Sequence, residues 1–210
     1  MQSRIGERSI TASRKKNGEY VLYYWQPVVA DDVERRTPRT VWWHSSHDAG
    51  SHGSTLLNTF LGSRSVFPFP KSLYAVRDTL SVAVGDRPDA LILDFFAGSG
   101  TTLHATAALN KADGGSRRCL LVSNNEVSES EAKALHKSGI YKGDAAFEKH
   151  GIFELATRPR VEAAVTGKRP DGEAVKGKYL DGSPFADGFP ENVAFYRLDY
   201  LDPDDVSLGR

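Results

Sequence analysis

The 210-residue chain holds a single cysteine, Cys119, so no internal disulfide can form. A reducing, cytoplasmic setting is the simplest expectation for such a chain. No apolar run approaches the roughly 18 residues of a membrane span, which argues against an integral membrane protein. The opening stretch, residues 1–16, lacks the apolar core of a secretory signal. Net charge is missing too, since 27 Lys+Arg balance 27 Asp+Glu. A neutral chain exerts no global pull on nucleic acid. The sequence shows no internal repeat and no long low-complexity tract.

A hydrophobic content of 40% is enough for a core, and the length fits one domain or one domain with a small appendage. Charge is unevenly spread. Residues 1–16 carry Arg4, Arg8, Arg14, Lys15 and Lys16 against Glu7. Residues 181–210 carry seven acids against Arg197 and Arg210. Such asymmetry is mostly solvated surface, and it also fits two ends facing different parts of an assembly.

Residues 10–29 read as a β-hairpin, with Asn17-Gly18 as a type I′ turn. Its second strand, Glu19 to Trp25, is apolar on both faces and calls for cover on both. Residues 30–40 form a charged loop, and Val41-Trp42-Trp43 a short buried segment. Residues 44–55 form a polar loop holding His44, His47 and His52. Three close histidines invite a metal reading, but no fourth ligand or rigid spacing accompanies them, so an ordinary loop or N-cap region is preferred.

Pro68 and Pro70 bar a helix across residues 66–70. Leu73, Val76, Leu80 and Val84 recur at helical spacing, and Gly85 stops the helix. Ala90–Phe95 is a short apolar run, expected as a parallel strand buried on both faces. A tight turn over residues 96–100 and an Ala-rich helix over 101–110 follow. Arg118–Ser123 is a second buried strand. Ser128 and Glu131 make a capping box for a helix over 129–138. Arg160–Thr166 reads as a short helix, residues 167–190 as loop, and Val193–Asp199 as an alternating strand. The β-turn-α-β-α order begins a doubly wound α/β sheet.

The chemistry concentrates in Asp94-Phe95-Phe96-Ala97-Gly98-Ser99-Gly100-Thr101-Thr102. A strand ends, glycines let backbone pass close under a ligand, and a helix opens with unpaired N–H groups. A dinucleotide fingerprint needs glycine at position 103, which is Leu103. A phosphate-binding P-loop needs Gly-Lys at positions 103–104, which are Leu103 and His104. Both fail. An acid at the strand end sits badly beside a pyrophosphate and suits a cationic ammonium group. A second acid, Glu126, follows the next strand, where a ribose partner is wanted. A cationic amino acid joined to a ribose describes S-adenosylmethionine (SAM).

Asp94–Thr102 resembles the SAM motif of amino-methylating DNA methyltransferases, the adenine-N6 and cytosine-N4 group. Phe69-Pro70-Lys71-Ser72-Leu73 is similar to that family's segment beside the methionine end of SAM, with Ser72 where proline is usual. Arg117–Glu126 resembles the strand ending in the ribose acid, as in modification subunits of type III restriction systems. The resemblance covers about residues 40–165.

It implies an α/β, Rossmann-like doubly wound methyltransferase sheet, incomplete here and preceded by the N-terminal hairpin. It also implies SAM as cofactor, with Lys71, Ser72, Asp94, Phe95, Phe96, Ala97, Gly98, Ser99, Gly100, Thr101, Thr102 and Glu126 as binding residues. Three segments follow: residues 1–40, a possible remnant of target recognition; 41–166, the SAM core; and 167–210, a loop-rich extension with a terminal strand. Bland readings stand beside these. Phe95 and Phe96 also fit plain core, Asp94 a cap for the following helix, and Glu126 the lead into the next helix.

Amino methylation also needs an Asp/Asn-Pro-Pro-aromatic motif to hold the extruded base. It is absent, because Asp202-Pro203 continues as Asp204-Asp205. The chain therefore names no catalytic residue of its own. The resemblance implies a catalytic and target-recognition half on upstream sequence or another chain, with double-stranded DNA as substrate and no membrane partner. Alternatives are a non-catalytic SAM-binding or DNA-associated module and an RNA or small-molecule methyltransferase. A nucleotide-dependent oxidoreductase ranks last, because Leu103 breaks its fingerprint.

Overall fold

The structure, a computed structural model, describes residues 10–24, 38, 40–64 and 67–198. The chain divides into two units, residues 1–40 and 41–210. In the first unit, strands β1 (Ile10–Arg14) and β2 (Tyr20–Tyr24) pair antiparallel, Arg14 opposite Tyr20. The connection is longer than the expected two-residue type I′ turn. Lys15 O accepts from Gly18 N at 3.0 Å, and Gly18 alone of the Asn17-Gly18 pair takes positive φ, +88°. That is a turn followed by a left-handed glycine, the usual longer alternative. Trp25, the rest of the expected hairpin and residues 199–210 lie outside the described residues.

The second unit is mixed α/β. Val41 and Trp43 are exposed, so the segment 41–43 is not the buried one expected, and residues 44–55 are not the plain loop expected. Ser45–His47 makes a 3₁₀ turn, and Gly50–Thr55 a π-helical turn running into α1 (Leu56–Leu61). Helix α2 (Leu73–Val84) starts at Ser72, whose Oγ accepts from Ala75 N at 3.3 Å. Parallel strands β3 (Leu91–Asp94) and β4 (Arg118–Leu121) flank α3 (Thr101–Asp113). Their register sets Leu91 against Arg118 and Asp94 against Leu121. Helix α4 (Glu129–Lys137) opens at Ser128, whose Oγ accepts from Glu131 N. Two short elements went unread in the sequence: α5 (Ala145–Glu148) and a π-helical turn, Phe153–Thr157, leading into α6 (Arg158–Thr166). Pro159 sits in the first turn of α6, where its missing N–H costs nothing.

The sheet departs from expectation in one respect. Burial on both faces was expected, yet Leu91, Leu93, Phe95 and Leu120 are exposed, while Ile92 is buried. Cys119, on the opposite face from Leu120, meets Thr106 of α3. Helix α3 thus covers one face, and the described residues leave the other bare. Parallel sheets are normally covered twice.

Residues 167–190 are loop, but they close the core. Val175, Tyr179, Phe185 and Phe189 pack with Leu56 and Phe60 of α1, Leu73 and Tyr74 of α2, Ala105 and Ala107 of α3, and Ala163 and Ala164 of α6. A short tandem builds this loop. Bridges Lys168–Ala174 and Lys178–Pro184 each enclose an Asp-Gly turn. Asp171 accepts from Glu173 N at 3.0 Å, and Asp181 from Ser183 N at 2.9 Å. This ten-residue tandem corrects the expectation of no internal repeat: it recurs only twice, and its shared feature is a turn geometry rather than a long run of like residues. The alternating stretch from Val193 is irregular through Leu198, so the described part of the expected terminal strand is not a strand. Alternation alone does not make a strand without a neighbour to pair with.

Candidate functional site

The carboxyl end of β3 carries the turn singled out above. Asp94 organises it. Its Oδ1 accepts from Phe96 N at 3.0 Å, and its Oδ2 accepts from the Thr102 hydroxyl at 2.6 Å. An ionised carboxylate offers about four lone pairs, so one bond per oxygen leaves acceptor capacity. Ala97 N donates to Val122 O at 3.0 Å and continues the β3–β4 ladder into the turn.

Two glycines are required here. Gly98 has φ +51° and Gly100 +74°, both left-handed. A Cβ on Gly98 would lie 3.1 Å from the Phe67 ring, and one on Gly100 3.1 Å from a Val161 methyl and 3.3 Å from Thr157 O. Gly100 is the N-cap of α3. The first amides of a helix have no partner within it, so this end favours an anionic group.

The side chains around the turn divide into two sets. Phe95 and Phe96 are exposed, Phe96 to 85%. Neither is core. Ser99 and Thr101 are buried, and their hydroxyls lie 3.1 Å apart. They face Arg160 of α6, whose Nη1 donates to Thr101 Oγ1 at 2.6 Å and Ser99 Oγ at 3.0 Å. Thr157 Oγ1 donates to Gly98 O at 2.6 Å. The turn is thus held from below by α6 and the turn before it. Arg160 is fully buried, and burial pushes its pKa down to about 10, so it stays cationic at neutral pH. His104, also fully buried, has its pKa held well below the ordinary value by burial, then by Arg160. Its Nδ1 accepts from Arg160 Nε at 3.4 Å, which leaves Nε2 to donate to the Tyr179 hydroxyl at 2.9 Å.

The remaining predicted residues are placed less directly. Lys71 is exposed. Ser72 is buried, and its hydroxyl is committed: it caps α2 and donates to Ser46 O at 2.8 Å. Glu126 lies five residues beyond β4, at the same sheet edge as the turn. It is exposed, and its carboxylate has no hydrogen-bond partner among the described residues. Its loop is pinned by Asn125, which has φ +51°, donates to Glu148 O at 2.8 Å and accepts from Phe153 N at 3.1 Å. Glu126 O accepts from Ile152 N at 2.8 Å.

Arg160, Thr157, Phe67 and Asn125 escaped the sequence reading. Arg160 lies about sixty residues beyond the turn in a charged helix, where arginine reads as surface. No local pattern marks it.

The three histidines do not converge on a metal. His47 Nε2 pairs with Asp78 at 2.8 Å, His44 meets the edge of the His47 ring, and His52 packs on Tyr74. No group of three or more candidate ligands has metal geometry among the described residues. Burial raises the Cys119 thiol to about 11, so it is a poor nucleophile. A shallow groove of about 430 Å³ is lined by Thr55, Asn58, Thr59, Gly62, Ser63, Arg169 and Lys176, none of them a predicted site residue. No helix among the described residues is long and apolar enough to cross a membrane.

The relatives decide the family resemblance. The chain is 39% identical, over 137 residues and 65% of its length, to the type II methyltransferase M.KpnI of Klebsiella pneumoniae. The chain is similar to restriction–modification methyltransferases. It is also 33% identical over 112 residues to the Mod subunit of the type III restriction-modification enzyme EcoPI from Escherichia phage P1, 53% of this chain. The StyLTI Mod subunit of Salmonella typhimurium is 35% identical over 98 residues, 44% of this chain. The matched part spans 30%, 17% and 14% of these three relatives, in that order. No family model matches the chain.

Proposed function

We infer that the chain is the SAM-binding portion of a site-specific DNA amino-methyltransferase, adenine-N6 in preference to cytosine-N4, acting in the cytoplasm. The observation that carries this reading is the Asp94–Thr102 turn. An acid closes a parallel strand, two left-handed glycines follow, and a helix opens. The similarity to restriction–modification methyltransferases supports it.

The residues suit SAM as follows. Asp94 is disposed to accept from the ammonium of the methionyl end. Gly98 and Gly100 supply the left-handed backbone that carries the turn beneath the ligand, and their missing Cβ atoms leave room for Phe67 and α6. The α3 amino terminus favours the carboxylate. Exposed Glu126 is disposed to accept from the ribose hydroxyls, and exposed Phe96 flanks the ligand. Ser72 contributes through the position of its backbone, because its hydroxyl is committed. Lys71 immediately precedes that cap. Bound SAM supplies an electrophilic methyl group. The chain's own part is to fix the direction of that methyl, since alignment with the amine lone pair is the demanding step.

Holding and orienting the target amine needs the absent Asp-Pro-Pro-aromatic motif. The proposal therefore assigns base extrusion and amine alignment to a catalytic half outside these 210 residues, encoded upstream or on another chain. Among the described residues, the bare sheet face at Leu91, Leu93 and Leu120 and the exposed Phe95 and Phe96 agree with a fold completed by other segments.

Transfer of tritium from methyl-labelled SAM to duplex DNA tests this. The chain alone is expected to transfer nothing above background. Adding a complementing half that carries an Asp-Pro-Pro-Tyr motif is expected to raise transfer by at least about 10³-fold, the scale of restoring a missing catalytic group. SAM bound without transfer in the complemented mixture would identify a non-catalytic module instead.

A further inference from the structure

Arg160 is a cation with no accessible surface. Its Nη1 and Nε bind only neutral partners: Ser99, Thr101 and His104. Its Nη2 is buried with no hydrogen-bond partner. No carboxylate pairs with it among the described residues, although Arg117, buried to a similar degree, pairs with Asp113 at 2.9 Å. A buried charge without a counterion is costly, and it is kept where something else balances it. Arg160 sits directly beneath the glycine turn, next to the first turn of α3. A guanidinium and a helix amino terminus together create positive potential at one point. On the open side of the same turn, Asp94 supplies negative charge. The turn therefore separates a positive and a negative locus, the charge pattern of a free amino acid's zwitterion.

We propose that Arg160 is a positioning residue that clamps the glycine turn and supplies the buried positive charge against which the carboxylate of an amino-acid-bearing nucleoside is held. This rests on the SAM reading above. It adds that selection for the amino-acid end of the ligand comes partly from a side chain that never touches it. The clamp works through Ser99 and Thr101. Both hydroxyls are drawn to one Nη1, which fixes the backbone between Gly98 and Thr102. His104 and Tyr179 brace the guanidinium from the other side and connect the C-terminal loop to the turn.

The test uses the full 210-residue chain, with Arg160→Met and Arg160→Lys. Calorimetric titration compares SAM with 5′-methylthioadenosine, which shares the adenosine and sulfur but lacks the amino-acid end. Amide hydrogen exchange reads the turn without ligand. For Arg160→Met, SAM affinity is expected to fall at least about tenfold and 5′-methylthioadenosine affinity less than about threefold, because only the carboxylate feels the loss of the buried charge across the turn. Exchange at residues 99–102 is expected to quicken about tenfold. Arg160→Lys keeps the charge and loses the two-point hold, so the preference for SAM over 5′-methylthioadenosine is expected to stay within about threefold of the native chain while exchange still quickens. If Arg160→Met fails to fold, the Arg160→Lys preference and exchange decide alone. Equal weakening of both ligands, or unchanged exchange at the turn, overturns the proposal. If the native chain binds neither ligand, the SAM reading fails and takes the carboxylate role with it. The clamp then stands or falls on exchange alone.

Discussion

Replacing Asp94 with alanine is expected to weaken SAM binding about a hundredfold, roughly 3 kcal/mol, while the chain stays folded. The carboxylate has two tasks. One is internal: it accepts from Phe96 N and the Thr102 hydroxyl and so shapes the turn. The other is the proposed contact with the methionyl ammonium. Loss of two hydrogen bonds costs about 1–3 kcal/mol of stability. Loss of the charge removes the ammonium partner. Asp94→Asn separates the tasks, because the amide oxygen can still accept from Phe96 N, the amide nitrogen can donate to the Thr102 hydroxyl oxygen, and the charge is gone. It is expected to recover most of the stability and little of the affinity. Titration calorimetry and urea unfolding of the three proteins measure both quantities. Native-like SAM affinity in Asp94→Asn would remove the ammonium role and leave Asp94 as a turn anchor only.

Phe60→Ala is expected to cost about 3–5 kcal/mol of folding stability, the range for truncating a fully buried phenylalanine. Phe60 has no exposed surface. Its ring meets His104 edge-on at 4.8 Å and lies 5.0 Å from Phe185 and 6.5 Å from Tyr179. It is the point where α1, α3 and the C-terminal loop meet. Domains of this size are stable by about 5–15 kcal/mol, so the variant would sit near the threshold of folding. Phe60→Leu refills most of the volume and is expected to cost roughly half as much. Urea midpoints at constant slope give the comparison. A loss under about 1 kcal/mol for Phe60→Ala would contradict the packing of the C-terminal loop into this core.

Where local chemistry decides structure, the sequence was readable. Leu73, Val76 and Leu80 mark the core-facing side of α2, Leu73 buried and the other two partly so, Ser72 caps the helix, and Gly85 follows it. Short apolar runs mark β3 and β4 because a strand next to a covering helix needs them. The glycines of the turn declared themselves because left-handed backbone strongly favours residues without a Cβ. What stayed hidden depends on distant partners. Residues 44–55 look like polar loop, yet Gly53 lies so close to Pro70 O that a Cβ would overlap it, and the segment coils into a π-helical turn. Arg160 looks like a surface residue until α6 is laid beneath the turn. Tyr179 and Phe185 sit in a Gly/Pro/Lys-rich stretch whose composition says loop. Only the fold reveals that two Asp-Gly turns carry aromatics into the core. The bare sheet face reverses the pattern. Apolar runs in β3 and β4 called for two covers, and one is present among the described residues.

The central claim is that the Asp94–Thr102 turn and Glu126 form a SAM site. Its most direct measurement is a calorimetric titration of the 210-residue chain with SAM and, in parallel, with a nicotinamide dinucleotide. The expected result is saturable one-to-one binding of SAM, none of the dinucleotide, and loss of the SAM signal in Asp94→Ala. A folded chain that binds no SAM even with the complementing half present, or that binds the dinucleotide instead, would contradict it.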